Sequence, residues 1–190
     1  MKKFSNLKPN SELNQNKEED KVLYDGEHFQ VIQYEDWSVL KEKDVVVCIP
    51  YLIETNQLIL RQEYIPSFKY ADGKEYHVTL VCGGIEQGET PDKAILRELE
   101  EEAGIVVKEG YKLEPLKPFF ISKSSSNKYY PYIIPLNERE YDEVVAKGDG
   151  SKVEEMSKSV KVDAKYIDSL NASDLITDYM LLKLKEYLNT

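Results

Sequence analysis

The stretch CGGIEQGETPDKAILRELEEEAGI, Cys82 to Ile105, constrains this chain more than any other. Thr90 suits a helix N-cap, Pro91 the first helical position, and Asp92 the positive end of the helix dipole. Gly104 stands where a left-handed terminator is needed. The spacing therefore predicts a helix over Pro91–Ala103, entered shortly after the glycine pair Gly83-Gly84. Residues three and four apart share a helix face, so Glu98, Glu101 and Glu102 project from one patch. Such like charges repel by about a few tenths of a kcal/mol each when solvated, and by more when partly buried. A divalent cation offsets that repulsion well. Mg²⁺ takes hard oxygen ligands and fills its remaining positions with water or phosphate. Arg97 can steady a neighbouring carboxylate with its planar fork. The glycines allow a tight turn that offers a backbone carbonyl, that of Cys82, beside the cluster. Taken alone, ELEEE reads more readily as a solvated helix face.

The rest of the chain is mostly strand. Val22–Tyr24 and Phe29–Ile32 flank an Asp25-Gly26 turn and predict a hairpin, with Trp37–Leu40 as a further strand. DVVVCIPYLIE, Asp44 to Glu54, is an apolar, β-branched run of the buried-strand type. LILRQEY, Leu58 to Tyr64, alternates and is expected to end at Pro66, and Glu75–Cys82 is expected to stop at Gly83. Strands are expected near Lys117–Lys123, over Tyr129–Leu136 and through SVKVDAKYI. A polar loop is expected over Lys147–Ser157, and a C-terminal helix capped by Ser173. Strands, helix, strands, helix is an α+β order, with helices packed on a mixed sheet. The polar residues 1–20 read as a flexible arm, residues 21–43 as a hairpin extension and residues 44–190 as the main domain.

Charge narrows the function. A net charge of −10 argues against nonspecific binding to nucleic acid or to anionic membrane. An acidic protein that handles anionic substrates needs cations as intermediaries. Cys48 and Cys82 lack zinc-ligand spacing and read as buried free thiols in a reducing, cytoplasmic compartment. No signal peptide and no membrane-spanning run is visible.

The whole string decides between a cation cage and a wet helix face. It runs Gly83, five residues, Glu89, seven residues, Arg97-Glu98-Leu99, one residue, Glu101-Glu102, one residue, Gly104-Ile105. This resembles the Nudix box, G-x5-E-x7-R-E-U-x-E-E-x-G-U, at every defined position. The resemblance implies an α/β/α sandwich and Mg²⁺- or Mn²⁺-dependent hydrolysis of a nucleoside diphosphate linked to another moiety. It assigns Glu98, Glu101 and Glu102, with the Cys82 carbonyl, to the metal. Arg97 would orient the glutamates, supported by Gly83 and Glu89. Many relatives carry a general base on a loop after the box, which here points to Glu154 or Glu155.

The order of elements before the box is similar to that of ADP-ribose pyrophosphatases, with Arg61-Gln62-Glu63-Tyr64 approximating their R-Q-Y-R strand. Ile65 departs from that pattern, as do Thr79 and Val81 where Glu and Pro are usual, and a downstream Pro is missing. ADP-ribose is the leading substrate expectation. GDP-mannose, dinucleoside polyphosphates and nucleoside triphosphates are alternatives, as is a nucleotide-sensing module without turnover. Arg61 is a candidate phosphate ligand, with a surface salt bridge as its other reading. Trp37 and Tyr64 are candidates to stack on a base, with core packing as theirs. A homodimer built partly by the hairpin extension is expected. Lys123 and the serines after it could line a pocket mouth or form a hairpin tip.

Overall fold

The structure, a computed structural model, describes residues 21–148, 150, 155–170, 172 and 174–189. The expected arm over 1–20 and the Ser173 cap lie outside these residues.

Strand β4 (Val45–Leu52) organises the main sheet because both its faces are apolar. Val46, Cys48 and Leu52 enter one core and Val47, Ile49 and Tyr51 the other. It runs parallel to β9 (Tyr129–Leu136) over its whole length, from Val45↔Tyr129 to Leu52↔Leu136. On its other edge the chain turns through Asn56 into β5 (Gln57–Tyr64), and the two strands pair only at Tyr51↔Leu58 and Leu52↔Gln57. They then splay apart, and the next extended run fills the gap. β6 (Tyr76–Thr79) pairs with β5, and β7 (Val81–Gly84) pairs with β4. The expected strand through Cys82 is thus split at Leu80. It also continues through Gly83 and Gly84, where it was expected to stop, because Val46 and Val45 pair with them. Strand β11 (Lys158–Asp163) closes the far edge against β5.

Helices cover both faces. The helix α2 (Pro91–Ala103) has the predicted ends: Thr90 Oγ1 accepts from Lys93 N–H, and Gly104 closes it at φ +65°. Ala94, Ile95 and Leu99 are fully buried against Val46, Cys48, Ile59 and Ile134. Burying a leucine side chain of this kind contributes roughly 2 kcal/mol. Tyr132 Oη donates to Asp92 at 2.8 Å and ties the helix start to β9. On the opposite face lies α3 (Leu175–Leu188), through Met180, Leu181 and Leu184. Its N-cap is Asp174, whose Oδ1 accepts from Ile176 and Thr177 N–H. Leu175 and Leu188 are exposed. The result is an α/β/α sandwich around a mixed sheet, as expected.

Three local expectations differ. Pro66 does not merely end β5: it opens the seven-residue helix α1 (Pro66–Asp72), closed by Gly73 at φ +79°. Lys117–Lys123 forms no strand and has one isolated bridge, Phe119↔Tyr129. The run SVKVDAKYI leaves the sheet at Asp163 and becomes a 3-10 turn over Ala164–Ser169.

The first three strands, β1 (Lys21–Asp25), β2 (Gln30–Tyr34) and β3 (Trp37–Lys41), form a separate antiparallel sheet. Leu40 fastens it to the body through two backbone bonds, to Ser124 and from Ser126. The serines after Lys123 are therefore a fastening for β3. A short two-stranded ladder, β8 (Ile105–Val107) with β10 (Tyr141–Glu143), follows the end of α2.

Candidate active site

The box residues meet where β7 runs under the second half of α2. Arg97 is the organiser. A guanidinium has five N–H groups, and all five are used. Nε donates to Glu89 Oε1 at 3.1 Å. Nη2 donates to Glu89 Oε2 at 3.1 Å and to the Gly84 carbonyl at 3.0 Å. Nη1 donates to Glu98 Oε1 at 2.6 Å and to Glu101 Oε2 at 2.9 Å. One cation thus fixes three carboxylates and the glycine turn together. Glu89 meets it through a bidentate fork, the strong form of this pair. The Arg97 hydrogen bond is the largest influence on Glu89 and holds its carboxyl below the usual range; Glu89 in turn keeps Arg97 firmly protonated.

Glu98 and Glu102 are buried, at 7% and 4% exposure. Buried carboxylates persist only with charge partners and hydrogen bonds. Glu98 has Arg97. Glu102 accepts from Cys82 N–H at 2.9 Å and lies 3.7 Å from Arg61 Nη2. Burial, then the charges of Glu102 and Glu98, pushes the Cys48 thiol up. Burial, then Glu102, Glu63, Glu98 and Asp174, does the same to Cys82. Gly83 is required by close approach: a methyl group on it would overlap the Glu98 carboxylate. Replacing Gly83 with alanine is expected to destabilise the fold by about 1–3 kcal/mol, since the buried Glu98 carboxylate must swing away from Arg97. The same swing should cost activity about 10–100-fold; steady-state kinetics on the variant check it.

A cleft of about 380 Å³ opens beside Glu101 and Glu102. Arg61, Lys147, Glu155, Lys158 and Ser159 also line it. Glu155 thus faces the same space as Glu101 and Glu102, whereas Glu98 does not line it; Glu154 lies outside the described residues. Segment 144–148 is strapped to the end of α2 by Val144 N–H to the Gly104 carbonyl and Gly148 N–H to the Glu101 carbonyl. That strap brings Lys147 to the cleft wall. Sequence reasoning missed Lys147, Lys158 and Ser159, because only the β5–β11 register and the strap bring them to the helix.

The substrate candidates distribute unevenly. Arg61 lines the cleft, yet it is only 3% exposed and is no surface salt bridge. Trp37 is 56% exposed on β3, outside both the core and the cleft. Tyr64 is half-buried at the end of β5, under Lys69 and edge-on to Tyr76, and does not line the cleft.

Among the described residues, no three His, Cys, Asp or Glu side chains converge as a ready ion cage. Glu98 and Glu102 face arginines instead. The donor chemistry still fits a hard divalent ion: carboxylate oxygens lie on one helix face, and Gly83 leaves room for Glu98 beside it.

A family model described as the NUDIX domain matches residues 42–169. A solved structure titled "Crystal structure of ADP compounds hydrolase" is similar at a TM-score of 0.62 and 17% identity, covering 90% of this chain and 94% of that one. No curated protein sequence matches the chain significantly.

Proposed function

The chain belongs to the Nudix family and is a Nudix pyrophosphohydrolase; from that premise we propose that it cleaves a nucleoside diphosphate sugar, ADP-ribose first, to a nucleoside monophosphate and a sugar phosphate. The observation that carries this reading is the buried carboxylate pair, Glu98 held by Arg97 and Glu102 held by Cys82 N–H and Arg61, with Glu102 at the edge of an open cleft. The fold neighbour named for ADP compounds points the same way.

Glu98, Glu101 and Glu102, with the Cys82 carbonyl, would hold Mg²⁺ or Mn²⁺. When bound, the ion neutralises phosphate charge and acidifies water for in-line attack. The protein's own groups do the rest. Arg97 keeps Glu98 and Glu101 on one side of the helix. Glu155 faces the cleft and accepts the proton of the attacking water. Lys147 and Lys158 attract the anionic substrate into an otherwise acidic site. Replacing Glu155 with glutamine is expected to lower kcat by roughly 10²–10⁴ with little change in KM. An unaltered kcat would move the general base elsewhere.

Incubation with ADP-ribose, GDP-mannose, diadenosine polyphosphates and deoxynucleoside triphosphates, each with Mg²⁺, tests the substrate class. Release of nucleoside monophosphate from one of the sugar nucleotides is expected, and inertness across the panel would contradict the reading. The β1–β3 sheet exposes Leu23, Tyr24, Phe29, Tyr34 and Trp37, which supports a homodimer using residues 21–43. Light scattering should give twice the chain mass. Free thiols at Cys48 and Cys82 suit a cytoplasmic setting. No helix among the described residues is long and apolar enough to cross a membrane.

A further inference from the structure

Three adjacent strands place Ser159, Arg61 and Thr79 in one register row: Ser159↔Arg61 across β11 and β5, and Arg61↔Thr79 across β5 and β6. Directly paired residues share a sheet face. Glu63, two residues after Arg61, lies on that face as well and accepts from the Thr79 hydroxyl. This polar row crosses a strand whose neighbours Leu58, Ile59 and Leu60 are apolar and buried, and none of the four residues belongs to the box.

The row meets the last turn of α2. That turn carries carbonyls without intrahelical partners, and it contains no basic residue of its own. The Glu102 carbonyl accepts from Arg61 Nη1 at 3.0 Å and from Ser159 Oγ at 2.7 Å. Arg61 also places Nη2 3.7 Å from the Glu102 carboxylate and Nε 3.6 Å from that of Glu63. A buried cation therefore stands at the negative end of the helix dipole and grips both ends of one residue. Glu63, held by Thr79, fixes the arginine from the other side.

We propose that Arg61, with Ser159, is a positioning residue for Glu102: it sets where that carboxylate stands at the cleft by holding the end of α2, and it does not bind substrate phosphate. The inference rests on the metal-ligand reading of Glu102 given above.

The test compares full-length wild type, Arg61→Met, Arg61→Lys and Ser159→Ala. Mn²⁺ affinity is measured by calorimetry with the metal alone, and kcat and KM on the best substrate of the panel. Arg61→Met is expected to weaken Mn²⁺ binding about 10–100-fold and to lower kcat, with nucleotide KM within about twofold. Ser159→Ala should weaken Mn²⁺ binding by roughly threefold to tenfold, as one of two donors to the same oxygen is lost. Arg61→Lys should fall between wild type and Arg61→Met, because one ammonium cannot span carbonyl and carboxylate together. A tenfold or larger rise in KM for Arg61→Met, with kcat and Mn²⁺ affinity kept, would make Arg61 a phosphate ligand and overturn the proposal. If Arg61→Met does not fold, Ser159→Ala decides, and wild-type Mn²⁺ affinity in it is a refutation. Wild type that binds no Mn²⁺ at all removes the metal reading and this inference together; variants that match a binding wild type remove this inference alone.

Discussion

Replacing Glu102 with glutamine is expected to abolish turnover and leave the fold standing. The side chain is 4% exposed, so its charge is held at a cost that only a partner offsets. As a ligand it would help an ion stabilise transition-state charge, worth several kcal/mol, so its loss should lower kcat by on the order of 10³-fold. Stability should change by only about 1–2 kcal/mol. Glutamine still offers an oxygen to Cys82 N–H, and Arg61 keeps the Glu102 carbonyl and the Glu63 carboxylate. Relief of repulsion between Glu98 and Glu102 works in the same direction. Circular dichroism and thermal melts beside the rate measurement separate the two effects. A variant with near-normal kcat would remove Glu102 from the metal site.

Replacing Arg97 with methionine should damage both stability and activity. The change deletes five hydrogen bonds and the cation shared by Glu89, Glu98 and Glu101. Loss of one partner from a buried ionic group costs about 3–5 kcal/mol. The Arg97 side chain is 30% exposed, so solvent screening reduces the expected loss to roughly 2–3 kcal/mol. Activity should drop about 100-fold as the glutamates lose their common support. The loss also has a pH signature. Glu89 has its carboxyl pKa depressed, chiefly by Arg97. Its contribution is therefore present above the unfolded carboxylate pKa and disappears as pH falls through the lower, folded value. Wild type should lose stability on acidification below about pH 4 more steeply than Arg97→Met, so the gap between them narrows. Denaturant melts at neutral and acidic pH measure that gap, and a constant gap would mean that Glu89 gains nothing from Arg97. Lysine should not rescue, since a point ammonium cannot reproduce a fork spread over four acceptors.

How much of this could be read from the residues depended on distance along the chain. The helix carrying the glutamates was legible to the residue, because Thr90, Pro91 and Gly104 are local signals and each acts within one turn. That Glu89 supports Arg97 was implied by a known motif, and the structure joins the two through a bidentate fork. Strands β4 and β9 were legible from continuous apolar runs. Short α1 was signalled by Pro66 and Gly73, but seven residues are too few to show a period. The split at Leu80 arises from the splaying of β4 and β5, which no property of Glu75–Cys82 encodes. The Ser159–Arg61–Thr79 row was hidden for the same reason: three segments far apart in the chain meet only through register. One signal was available. Arg61 and Glu63 are charged, same-face positions in a strand that begins with the buried run Leu58–Leu60, and such groups require partners from elsewhere in the fold.

The most direct test of the account is the position of a bound ion. Crystals soaked in MnCl₂ and measured at the manganese absorption edge should show an anomalous peak bonded to carboxylate oxygens of both Glu98 and Glu102, above β7 and at the edge of the cleft. A protein saturated with millimolar Mn²⁺ that shows no peak there, or one only at surface carboxylates, would contradict it.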